Sequence, residues 1–161
     1  MTDQFLHLLT QISTAESKRS EALCSRLADN FENDLLEYEV LPDSHFDFFI
    51  ALLTSEQYYS KPGIWNFLLA INNASDSLTK LQFENISLAF TDNFVNYTDK
   101  ELCLAVCDFI ARNFEQSKAR ELLKKLKELE SHKNSELQGY VDEGFFILMQ
   151  NANRAIKNAI N

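Results

Sequence analysis

Only three glycines and two prolines punctuate 161 residues, and this scarcity constrains the fold more than any other feature. β-Sandwiches and barrels turn every few residues on Gly and Pro, so the chain is ill suited to either. It is equally ill suited to the common nucleotide cradles. A GxGxxG fingerprint needs three clustered glycines and a GxxxxGK[ST] loop needs two. The one near pair here, Gly139 and Gly144, has no lysine after it.

What fills the space between breaks is apolar periodicity near 3.6. Phe5, Leu8, Leu9 and Ile12 form a first stripe, and Leu23, Leu27, Phe31 and Leu35 a second. Phe46, Phe49, Ile50 and Leu53 follow Pro42-Asp43-Ser44, with Phe48 and Leu52 widening the stripe toward burial on more than one side. Ile64, Phe67, Leu68 and Ile71 follow Pro62, which suits the first turn of a helix. Thr79 with Gln82, Thr98 with Glu101 and Ser135 with Gln138 match the capping box, and each precedes an apolar stripe. A further helix carries Ala119, Leu122, Leu123, Leu126 and Leu129. The expectation is one all-α domain over residues 1–161, with about eight amphipathic helices stacked as antiparallel hairpins in an α-solenoid or an irregular bundle. Its mass allows a substantial core.

A faint internal repeat accompanies the pattern. A shift of 35 residues lays Glu101, Leu102, Val106, Asp108, Ile110 and Phe114 on Glu136, Leu137, Val141, Glu143, Phe145 and Met149. Periods of this size mark stacked helix pairs. Gly139 and Gly144 fall inside the second copy, where Gly disfavours helix, so close helix–helix approach is expected at both.

Charge is distributed unevenly. The formal net charge is −9, but residues 29–108 hold 14 acids against Lys61, Lys80 and Lys100. Asp29, Glu32, Asp34, Glu37, Glu39, Asp43 and Asp47 put seven acids and no Lys or Arg into 19 residues. One-sided charge repels itself and attracts an oppositely charged partner. The following SEQYYSKPGIW carries Tyr58, Tyr59 and Trp65, residue types enriched in interfaces. RELLKKLKELE reads as a solvated helix face with i,i+4 pairs Glu121–Lys125 and Lys124–Glu128. With a sequence pI near 4.8 the chain as a whole repels phosphate, so no nucleic-acid partner is expected.

A search for chemistry comes up empty. Cys103 and Cys107 share a helix face without two further soft ligands in nearby sequence, and with Cys24 they read as inert core thiols. His7 lies in an apolar stripe, His45 in an exposed cap region and His132 in a polar link; none belongs to HExxH. No enzyme activity, cofactor or metal is expected. No stretch approaches a membrane span and the N-terminus has no signal-peptide pattern, which with unpaired cysteines suggests a cytoplasmic protein.

The stretches ELCLAVCDFIARNF and ARELLKKLKELESHKNSELQGYVDEGFFILMQNA resemble the helical hairpins of HEAT-like repeat proteins. In size, charge and helical layout the chain also resembles the acidic immunity proteins of bacterial toxin systems, including contact-dependent growth inhibition. That resemblance implies a small protein that binds a basic cognate toxin domain, often a nuclease, and blocks its active site. The candidate contacts are then Glu37, Glu39, Asp43, Asp47, Asp92 and Asp99, with Tyr58, Tyr59 and Trp65 as anchors. The alternative is a helical-repeat scaffold or adaptor that grips a peptide or helix of a partner protein through apolar contacts.

Overall fold

The computed structural model describes residues 2–113, 115–133, 139 and 141–150, and among these every regular element is helical. Helices α1 (Asp3–Thr14), α2 (Ser17–Leu35) and α3 (Asp43–Thr54) are followed by a single turn, α4 (Glu56–Tyr59), absent from the sequence expectation. Then come α5 (Trp65–Asn73), α6 (Lys80–Asn93), α7 (Lys100–Asn113), α8 (Gln116–Lys133) and α9 (residues 141–150). The expected apolar stripes are the buried faces: Phe5, Leu9 and Ile12 in α1, Leu27, Phe31 and Leu35 in α2, and Phe67, Leu68 and Ile71 in α5. In α3 the two positions that widened the stripe, Phe48 and Leu52, are fully buried, while Phe46 and Ile50 are half-buried.

Two layers result. In one, α1 packs on α3, α3 on α6 and α6 on α8; in the other, α2 packs on α5 and α5 on α7. Gly144 brings α9 against α7 and α8, where an added Cβ would stand 2.8 Å from Cys107 Cβ and 3.2 Å from Leu123 Cδ2. Close approach is therefore the reason for glycine at 144. At Gly139 no such approach is found, since an added Cβ would meet nothing within 4 Å among the described residues. Aromatic rings join the layers. Phe48 stacks on Phe5 at 4.9 Å and reaches Phe67 at 5.8 Å, and Phe90 bridges Phe49 at 6.4 Å and Phe109 at 5.7 Å. Each buried Phe contributes roughly 1.5–3 kcal/mol through removal from water.

Neighbours within a layer run parallel, so the connecting turns stack along two edges. Along the first edge the α2–α3 turn meets the α5–α6 turn: the Leu41 N–H donates to the Ser77 carbonyl at 2.7 Å. Further along it, Lys80 pairs with Glu115 at 3.2 Å, reaching the α7–α8 turn. Along the second edge, Lys61 Nζ donates to the Ala15 carbonyl at 3.0 Å and Ser20 Oγ to the Pro62 carbonyl at 3.1 Å. Pro62 thus lies in the turn before α5, not in its first helical turn as expected. Between them Gly63 has φ +88°, and an added Cβ would stand 2.7 Å from Glu21 Cα, so only glycine lets this turn lie on α2. Next along the same edge, Tyr59 meets the Tyr97 ring edge-on at 5.3 Å, and the Tyr97 hydroxyl donates to the Leu53 carbonyl at 2.8 Å.

Helix starts follow sequence chemistry in one case and depart from it in another. Thr79 and Gln82 form the full reciprocal capping box of α6. At α7, Thr98 and Glu101 do not; Asp99 Oδ1 accepts from the Glu101 and Leu102 N–H groups at 2.9 and 3.3 Å. Ser135–Gln138 lies outside the described residues. His132 falls within α8 rather than in a link.

A candidate acidic docking site

The acidic run occupies the end of α2, the α2–α3 turn and the start of α3, and its local geometry is tightly held. After Leu35 the helical period gives way to Leu36-Glu37-Tyr38-Glu39-Val40, which alternates apolar and acidic. Such a pattern has no continuous apolar side to bury in a helix. The turn is pinned from beneath. Ser77 Oγ donates to the Tyr38 carbonyl at 2.7 Å, and Gln82 Nε2 donates to the Leu41 carbonyl at 3.0 Å. Gln82 Oε1 meanwhile accepts from Thr79 N, so one side chain caps α6 and braces the turn.

His45 supplies the second brace, and it corrects the sequence reading. It is 5% exposed rather than a solvent-facing cap residue. Its Nε2 lies 2.6 Å from Asp34 Oδ2, joining the end of α2 to the start of α3. The ring stands among Phe5 at 4.6 Å, Tyr38 at 5.0 Å and Phe31 at 6.0 Å. One acid of the run is thereby taken up internally; a second, Glu32, accepts from Asn73 Nδ2 at 2.9 Å.

The other members face solvent. Glu37 and Glu39 lie on the turn, and Asp43 and Asp47, spaced i,i+4, lie on the outer face of α3. None of these four has an ion-pair partner among the described residues, while five Lys and Arg side chains of α6–α8 are engaged with other acids. Lys118 pairs with Glu84, Lys127 with Asp142, Lys125 with Asp92 at 3.7 Å, and Arg112 with Asp108 at 2.6 Å. The lysines of α8 therefore reach across to α6 and α9, where intrahelical pairing was expected for Lys125. Lys118 holds the Glu84 carboxyl below the usual carboxylate range, and Glu84 in turn raises Lys118. Leu36 (63% exposed), Val40 (59%) and Tyr38 (38%) stand between the carboxylates. These three apolar members of the site escaped the sequence reading, although the break from helical period at Leu36 was the signal for them.

The structure does not gather the other expected contacts at this site. α3 is about 18 Å long, and Tyr58 and Tyr59 lie beyond its far end in α4, half-buried and packed on the core. Asp92, near the end of α6, is paired with Lys125, and Asp99 serves as the N-cap of α7. Trp65 belongs to the other layer, half-buried at the start of α5.

Cys24, Cys103 and Cys107 are buried thiols, and burial pushes the Cys24 thiol up. Among the described residues no cluster of three or more His, Cys, Asp or Glu is placed to hold a metal ion, and no helix is long and apolar enough to cross a membrane. No protein family, curated protein or solved structure matches the chain.

Proposed function

We propose that this chain is an inhibitor of the immunity type, which binds a basic toxin domain, a nuclease foremost, through the surface formed by Glu37, Glu39, Asp43 and Asp47. The observation that carries this reading is the contrast in ion pairing. The four carboxylates have no internal counter-ion among the described residues, while five Lys and Arg side chains of α6–α8 are paired with acids elsewhere in the chain. Carboxylates in this arrangement substitute for substrate phosphates against the cations of a nuclease site, steering encounter and fixing register. Leu36, Tyr38 and Val40 give the same surface an apolar centre that an acidic patch alone lacks. The stacking of parallel helices in two layers also supports the HEAT-like reading of the hairpins.

The test is stopped-flow association with the toxin domain encoded beside this chain. Replacing Glu39, Asp43 and Asp47 with Lys is expected to slow association about tenfold or more with a smaller effect on dissociation, and added salt is expected to act likewise. An association rate indifferent to both changes removes this surface, and a chromosomal neighbourhood without a toxin gene removes the immunity reading.

The adaptor reading has one observation in its favour. A cleft of about 540 Å³ between α6 and α8 is lined by Leu88 and Leu122 with flanking Glu and Lys side chains. A partner helix in that cleft would set apolar side chains against Leu88 and Leu122 and meet charges of both signs at its rim.

A further inference from the structure

The stripe of α7 that faces away from the core continues as a second cleft, of about 220 Å³, in the layer opposite α3 and α6. Leu104 and Ala105 of α7 form its floor. Trp65 and Leu69 of α5 form one wall, and Ile147 with Glu143 of α9 forms the other. Trp65 is only half-buried, and Leu69 is 42% exposed, so apolar surface remains uncovered here. Around it the charge is one-sided. Arg112 is occupied by Asp108 at 2.6 Å, which leaves Glu101 and Glu143 as the carboxylates without an ion-pair partner among the described residues.

We infer that this cleft receives one basic side chain of a partner protein, arginine foremost, stacked on the Trp65 indole and neutralised by Glu101 and Glu143. The chemistry is specific to a cation with a flat apolar face. An indole face attracts guanidinium more strongly than other rings do, and a carboxylate at the rim adds a charge-assisted hydrogen bond. The cleft is small, about 220 Å³ against about 540 Å³ for the one between α6 and α8, which suits one long side chain rather than a docked helix. An anionic or purely apolar ligand would leave Glu101 and Glu143 opposed or desolvated without compensation. The inference rests on the basic-partner reading above, but it names a different surface on the other layer.

Because Trp65 is the single tryptophan, its emission reports this cleft alone. Titration with hexa-arginine peptide is expected to change Trp65 emission saturably, with hexa-lysine weaker and hexa-glutamine silent. The double variant Glu101→Gln/Glu143→Gln, made at exposed positions, is expected to weaken hexa-arginine about tenfold. Trp65→Leu, followed by calorimetry after a thermal melt verifies folding, is expected to weaken it by a similar factor. Glu37→Lys/Glu39→Lys is expected to leave the emission change in place. Silent emission, or affinity unchanged in the Gln variant or the Leu variant, overturns the inference. A toxin domain whose association still depends on Glu39, Asp43 and Asp47 then keeps the first surface standing, whereas an intact Trp65 response without that dependence removes the first surface and keeps the cleft.

Discussion

At the scale of single residues, Tyr97 does work that its buried phenol makes measurable. Its hydroxyl donates to the carbonyl of Leu53, one of the last four of α3, which have no partner inside their own helix. Tyr97→Phe strands that buried carbonyl, with an expected loss of about 1–2 kcal/mol in denaturant unfolding. Burial also drives the Tyr97 phenol well above the ordinary tyrosine range. A folded-state value raised above the unfolded one gives stability that is fully present below about pH 10 and lost as pH rises beyond it. Unfolding curves from pH 8 to pH 11 are therefore expected to show a steeper alkaline decline in the parent protein than in Tyr97→Phe. The glycines separate just as sharply. Gly63→Ala forces a side chain into φ +88° and onto the Glu21 backbone, with an expected cost of about 2–3 kcal/mol. Gly144→Ala presses on Cys107 and is expected to cost about 1–3 kcal/mol, whereas Gly139→Ala, with open space around it, is expected to be neutral or to stabilise by up to about 1 kcal/mol. Thermal melts of the three variants rank them.

At the scale of elements, local chemistry was legible where a helix decides its own limits, though not always to the residue. Thr79 and Gln82 close the expected capping box, and Thr79→Ala is expected to cost about 1 kcal/mol in a melt, whereas at α7 Asp99 caps the helix in place of Thr98. Asp99→Ala is expected to cost about the same at α7 while leaving association with a basic partner unchanged, which separates a helix cap from a docking contact. The apolar stripes were legible for the same reason, since burial follows a period carried by the residues themselves. What the sequence could not disclose depends on neighbours far along the chain. His45 lies between two acids in sequence, yet it is enclosed by Phe5, Phe31 and Tyr38 from three elements. Tyr59 read as a surface anchor, yet Tyr97, far along the sequence, packs against it. The acidic members of the Trp65 cleft did leave a trace. The 35-residue shift lays Asp108 on Glu143, and both line that cleft from adjacent helices. The trace pointed to spatial neighbours only once the helices were known to lie side by side.

At the scale of the whole molecule, the placement of charge sets stability against recognition. Uncompensated acids on one turn and one helix face repel one another in the isolated protein, and salt screens this within about 10 Å at 0.1 M. Replacing Glu39, Asp43 and Asp47 with Lys is thus expected to raise the melting temperature at low salt, and the gain is expected to shrink at about 1 M salt. The same variant is the one expected to associate slowly, so stability and capture change in opposite directions. The bracing of residues 36–41 by Ser77, Gln82 and the His45–Asp34 pair carries a final consequence. A surface locked in place when the chain folds has little disorder left to surrender, so the proposed complex with a basic domain is expected to keep most of its contact energy as a long residence time.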